Sequence, residues 1–162
     1  MFGGELPNRR GPTRLNHYVD IHQSCIASLL AKGFVVRDDC ILTPAPGVLL
    51  IEGTIHCLDG IEMEVTKAVA VVSGTGQTAM VKTASRTYNA WIRGHRQIFR
   101  YDSPHPGHNT FHHKHEFDTF GNGQETVLIP ISNEDDIPTL TEAIKELETW
   151  HAQNAVRLRA LP

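Results

Sequence analysis

A chain of 162 residues with 40% apolar side chains and a formal net charge of −3 holds enough material for one domain with its own core. No apolar run approaches the roughly 20 residues of a membrane-spanning helix, and the first residues lack an apolar segment followed by a small-residue cleavage site. A cytoplasmic protein without a membrane partner is the expectation. Cys25, Cys40 and Cys57 are odd in number, widely spaced and never Cys-x-x-Cys, so they read as reduced thiols that pack as small apolar groups.

Residues 1 to 13 carry adjacent glycines, two prolines and little apolar content, and are expected to form a flexible arm ahead of one domain over residues 14 to 162. From Leu15 apolar residues recur at helical intervals through Tyr18, Val19, Ile26 and Leu29. Gly33 stands where a left-handed residue would end the helix, which predicts a helix over residues 15 to 32 with His22 on its apolar side. The texture then changes to short β-branched segments. Between Val48 and Cys57, Leu49, Ile51, Ile55 and Cys57 share one phase while Glu52, Thr54 and His56 share the other, the two-residue period of a half-buried strand. Asp59-Gly60 signals a hairpin, and the return strand alternates Ile61, Met63 and Val65 against Glu62, Glu64 and Thr66. Gly74-Thr75-Gly76 lacks the helix and lysine of a phosphate loop and reads as a turn. Another extended run covers residues 78 to 92, and Arg93-Gly94 breaks it. After the next hairpin, residues 126 to 131 form a short edge strand interrupted by Pro130. In the final helix, Asp135 and Asp136 favour the N-terminal end, Pro138 suits the first turn, and Thr139 with Glu142 has capping-box spacing. The fold class is therefore α+β: an antiparallel meander sheet with an N-terminal and a C-terminal helix packed on it.

The chemistry concentrates in one hairpin, residues 99 to 117, whose turn is Asp-Ser-Pro-His-Pro-Gly-His-Asn. Six of the ten histidines lie between His95 and His115. Between Lys82 and Lys114 stand Lys82, Arg86, Arg93, Arg96, Arg100 and Lys114 against the single acid Asp102, a local cationic stretch in an acidic chain. On a strand, Phe111, His113, His115 and Phe117 project one way and His112, Lys114 and Glu116 the other. Two imidazoles on one face of a solvent-reachable cleft can serve as general acid and base, with a nearby cation to stabilise charge developing on phosphorus. That is machinery for metal-independent RNA cleavage. His113 and His115 would exchange protons, Arg100 and Lys114 would hold phosphate, and Tyr101 with Asp102 would orient the groups. Arg86, Arg93, Arg96, His105 and Phe111 are candidates for binding substrate, the aromatic ring by stacking on an unpaired base. No metal or other cofactor is required. The same His-x-His pair can instead bind a divalent transition metal as a hydrolase site, with His105 or His108 as a third ligand. A non-catalytic alternative is a basic face that docks on an acidic antitoxin, a ribosome or nucleic acid.

Phe-Arg-Tyr-Asp-Ser-Pro-His, then Thr-Phe-His-His-Lys-His, with the earlier Gly-Thr-Ile-His-Cys-Leu-Asp-Gly-Ile-Glu-Met-Glu-Val and the later Ile-Pro-Thr-Leu-Thr-Glu-Ala-Ile, resembles the TumE-like family of bacterial toxin-antitoxin proteins over residues 50 to 148. The resemblance implies a toxin neutralised by a partner antitoxin that commonly carries a DNA-binding helix-turn-helix. Its pattern falls on Arg100, Tyr101, Asp102, His105, His113, Lys114 and His115. This chain departs from it at Ser103, where the family usually has asparagine, and at Pro106, where it usually has a second histidine. An endoribonuclease is the enzyme reading, and self-association is left open.

Overall fold

The computed structural model describes residues 11–104 and 111–162. Its backbone is a nine-stranded sheet with two long helices. The elements in chain order are β1 (Thr13–Arg14), α1 (Leu15–Lys32), β2 (Val35–Asp38), β3 (Ile41–Ala45), β4 (Val48–Cys57), β5 (Ile61–Ser73), β6 (Met80–Ile92), β7 (Gln97–Asp102), β8 (His112–Phe117), β9 (Glu125–Ile131) and α2 (Leu140–Arg159). From β4 to β9 each strand pairs antiparallel with its successor, as a meander. β2 and β3 share the outer edge of β4 in succession, and β1 pairs with the start of β6. The expected α+β architecture is the observed one.

Local chemistry explains the elements. The helix expected over residues 15 to 32 is α1, and Gly33 ends it at φ 87°. The β4–β5 hairpin turns on Asp59 and Gly60, both at positive φ (56° and 75°), the backbone that a two-residue turn between right-twisted strands requires. Thr139 caps α2: its Oγ1 accepts from the Glu142 amide at 3.3 Å, and the Glu142 carboxylate accepts from the Thr139 amide at 2.8 Å. Pro138 precedes that cap instead of entering the first turn. At the N-terminus, Thr13 and Arg14 are already strand, held opposite Val81 and Met80. The remainder of the arm, residues 1 to 10, and the hairpin apex with His105 and His108 lie outside the described residues.

The alternation along the strands sorts the two sheet faces. Ile55, Cys57, Met63, Val65, Tyr88, Ala90, Phe99 and Tyr101 form one buried core with Ile26 and Leu29 of α1 and with Leu140, Ala143, Ile144 and Leu147 of α2. Both helices therefore cover the same face. A satellite cluster of Tyr18, Leu49, Ile51, Val69 and Val81 extends it under the start of α1. The opposite face carries Glu64 and Thr66, both exposed, and the alternate residues of β7 and β8. A register shift at Ala90/Trp91 lets consecutive Ile98 and Phe99 both pack away from water.

Candidate metal centre

Register decides which hairpin residues meet. β7 and β8 pair Arg100 with His115, Tyr101 with Lys114 and Asp102 with His113. Strand alternation then puts Arg100, Asp102, His113 and His115 on the helix-free face, and Tyr101 with Lys114 on the helix-covered one. The structure thus splits the six residues expected to act together. Lys114 Nζ is held by Glu146 of α2 and by Glu116 at 2.8 Å, and lies 5.4 Å from the ring centroids of Phe99 and Tyr101. Burial pushes its pKa down, but the two carboxylates outweigh that and hold it above the ordinary lysine value. Burial, then the carboxylate of Glu146 that its hydroxyl donates to at 2.6 Å, raise Tyr101 above the ordinary phenol range. Neither residue faces the histidine pair.

On the helix-free face the two imidazoles are oriented by different partners. His113 is 1% exposed, and its Nδ1 lies 3.1 Å from the Phe111 carbonyl oxygen. A carbonyl only accepts, so Nδ1 carries the hydrogen and Nε2 presents a bare lone pair. That Nε2 is fully buried and has no hydrogen-bond partner among the described residues. Its nearest charged neighbour is Asp102 Oδ2, at 3.6 Å. His115, 8% exposed, hydrogen-bonds through Nδ1 to the Glu125 carboxylate, which likewise leaves Nε2 as the acceptor. Glu125 reaches that side because the β8–β9 register shifts between Glu116 and Phe117, so Glu125 falls opposite Phe117 and shares the phase of His115. Asp102 Oδ2 lies 3.3 Å from His115 Nε2. Arg100 completes the group, with Nε donating to Asp102 Oδ2 at 2.6 Å and Nη2 donating to His115 Nε2 at 3.1 Å.

Three atoms able to ligate a metal are therefore gathered on this face. Asp102, His113 and His115 each offer an atom within 4.8 Å of the others, the one such group of three among the described residues. Two ligand atoms about 2.1 Å from one ion stand about 3.0 Å apart at a right angle and about 3.4 Å apart at the tetrahedral angle. The 3.3 and 3.6 Å separations from Asp102 Oδ2 fall in the range of ligand atoms that share one cation. An imidazole whose far nitrogen donates to a carboxylate or carbonyl is the arrangement that fixes metal-ligating histidines. The guanidinium of Arg100 supplies positive charge to two of the three groups, and among the described residues no lysine or arginine pairs with His113.

The expected solvent-reachable floor is not what the chain builds. With its side chain fully buried, His113 cannot exchange protons with a bulky substrate in this conformation. The reason is the neighbours: Phe111 lies edge-on to His113 with ring centroids 6.4 Å apart, and the His115 ring packs edge-on at 4.8 Å on the other side. Nor is the basic stretch an open cationic surface. Lys82 pairs with Glu134, Arg93 with Glu62, Arg100 with Asp102 and Lys114 with Glu146, while Arg86 is buried beneath the helices. Only Arg96 of the six is exposed and without an ion pair among the described residues. Arg93 belongs to a closed network in which Glu62 also meets His56 at 3.1 Å and His56 meets Asp39 at 2.7 Å. Burial pushes the Glu62 carboxyl up, yet Arg93 and His56 overcome it and hold the group below its ordinary range. Phe111 is 39% exposed at the edge of the centre. Sequence reasoning missed Glu125, whose position depends on the bulge.

Compared with protein-family models, with curated proteins and with solved structures, the chain shows no match.

Proposed function

We propose that this chain is a metal-dependent hydrolase that acts as the toxin of a two-gene module, with Asp102, His113 and His115 holding one divalent transition-metal ion. The observation that carries the reading is the buried, unpartnered Nε2 of His113, set 3.6 Å from a carboxylate oxygen with its other nitrogen already tied down. Two histidines and one carboxylate leave coordination positions open, as catalytic centres do and closed structural sites do not. A divalent ion there would act as a Lewis acid toward a phosphoryl oxygen. Glu125 and the Phe111 carbonyl orient the ligating rings. Arg100, about one-third exposed, lies on the solvent side and is placed to contact an anionic substrate once displaced from Asp102. The toxin role and a partner antitoxin with a helix-turn-helix are supported by the resemblance of the Phe-Arg-Tyr-Asp and His-His-Lys-His blocks, and an RNA phosphodiester as the bond cleaved by the residue types alone, histidines beside an arginine.

The test begins with metal. Stripped protein reloaded with Co²⁺ should take up a single ion per chain and show its ligand-field absorption, and Asp102→Asn or His113→Ala should abolish both. RNA cleavage that chelator stops and the ion restores supports the proposal. Cleavage indifferent to chelator overturns the metal reading. Absence of both ion uptake and cleavage, in protein whose His113→Ala variant still arrests growth, overturns the hydrolase reading as well.

A further inference from the structure

On the other side of the sheet, beneath the two helices, Lys67 of β5 and Arg86 of β6 are directly opposed cross-strand partners. They are 8% and 7% exposed. Like charges face to face on a sheet repel, and buried charges are normally paired, so this juxtaposition calls for an anion. Among the described residues none is present: neither side chain has a carboxylate oxygen within ion-pair distance. Arg86 spends one donor on the Pro138 carbonyl at 3.4 Å and has four more. Lys67 Nζ lies over the Tyr18 ring, 5.4 Å from its centroid, a contact that steadies a cation without neutralising it. The Tyr88 hydroxyl, which Lys67 feels electrostatically, is fully buried and without a hydrogen-bond partner among the described residues.

The two cations line a cavity of about 30 Å³, together with Tyr18, His22 and Thr83, and the N-terminus of α2 closes it with Thr139, Leu140 and Thr141. The capping box satisfies the amides of Thr139 and Glu142, so the first-turn amides of Leu140 and Thr141 are the ones left for a ligand. A volume of this size exceeds the roughly 10 to 15 Å³ a single water needs, and is far below the roughly 300 Å³ of a site for a drug-sized molecule. From these observations we infer that the cavity is an anion site for one phosphate group, held by Lys67 and Arg86 with the α2 N-terminus behind it. It lies on the opposite face from Asp102, His113 and His115 and does not depend on the reading of that centre. The group nearest in chemistry that opposes it, Asp38, is felt by His22 but forms no ion pair with either cation.

Inorganic phosphate is the probe. In wild-type protein at fixed ionic strength, replacing chloride by phosphate at about ten times its Kd should raise Tm by about 3 to 6 °C. Lys67→Met and Arg86→Met, which keep the apolar stems, should lose that rise. Where either variant fails to fold, the wild-type protein decides alone: phosphate should move the His22 ring titration upward by about one pH unit, because an anion beside it favours the imidazolium. A 5′-mononucleotide run in parallel identifies the source. A rise with inorganic phosphate assigns a free ion, and a rise with the mononucleotide alone assigns the phosphate end of a larger ligand. Equal Tm in chloride, phosphate and mononucleotide, with an unmoved His22 titration, overturns the site.

Discussion

Arg100 and the three acceptors around it set up a competition between a tethered cation and a free one. The guanidinium donates to Asp102 and His115 from the solvent side, so a metal ion bound there must first displace it. Arg100→Met removes both the competitor and the repulsion, and should tighten Co²⁺ binding by about tenfold while lowering hydrolysis, read by titration and by initial rate. Weaker binding in that variant would show that the arginine supports the centre instead of guarding it. His22 makes the second prediction at this scale. Burial, then the positive charge of Lys67, lower its pKa from 6.5 to about 4 against a smaller opposing effect of Asp38. A folded-state pKa below the unfolded one means the unfolded chain takes up more protons, so stability is intact above pH 6.5 and is lost as pH falls toward 4. The difference, 6.5 less about 4, corresponds to about 3 kcal/mol at most. Urea unfolding at pH 7 and pH 4.5 should show this loss in the wild type and much less of it in His22→Gln; equal losses would remove His22 as the cause. Much of this was legible in the letters. Alternation alone puts His113 and His115 on one side, and it also puts Lys67 in the phase of Ile61, Met63, Val65 and Val69, a signal that a lysine is to be buried. Asp102 was readable as a neighbour that orients the pair, but its place opposite His113 depends on the register across the hairpin, and Glu125 was not assignable at all because it depends on a bulge.

Among the elements, the outer edge of β4 shows how tightly neighbouring segments constrain one another. The link between β2 and β3 crosses β4 at Gly53, with the Asp39 amide donating to the Thr54 carbonyl at 2.9 Å. A Cβ at Gly53 would stand 2.5 Å from both the Asp39 carbonyl oxygen and the Cys40 Cα, which are backbone atoms and cannot rotate aside. Gly53→Ala should therefore cost about 1 to 3 kcal/mol by overpacking, read as a lower urea midpoint at unchanged slope. An unaltered midpoint would mean that the β2–β3 link is free to lift. The elements themselves were largely readable, since α2 announces its start through Thr139 and Glu142 and the β4–β5 turn through Asp59-Gly60. The sharing of one β4 edge by two short strands was not, because no local pattern encodes which strand a short β-branched segment will join. The same holds for β1, too short to carry any periodicity and placed only by its pairing with Met80 and Val81.

At the scale of the whole molecule, a meander sheet that does not close leaves two edges, and the chain treats them differently. The β2–β3 edge is short, broken and guarded by Arg37, Asp38 and Pro44, devices that discourage pairing with another sheet. The β9 edge runs for seven residues and exposes Val127, Leu128 and Ile129 at 42%, 46% and 39%, with Pro130 as its one interruption. An exposed apolar edge of this length is a template for self-association when the protein is warmed or concentrated. Val127 stands opposite Glu116, so Val127→Lys would put opposite charges across the strand pair and add a charge to the free edge. Because the position is already in water, stability should change by no more than about 0.5 kcal/mol. Light scattering on slow heating should begin at a higher temperature than in the wild type while the unfolding transition itself stays in place. Scattering that begins at the same temperature in both proteins would mean that aggregation starts from the unfolded chain, where the β9 edge no longer exists, and not from the folded sheet.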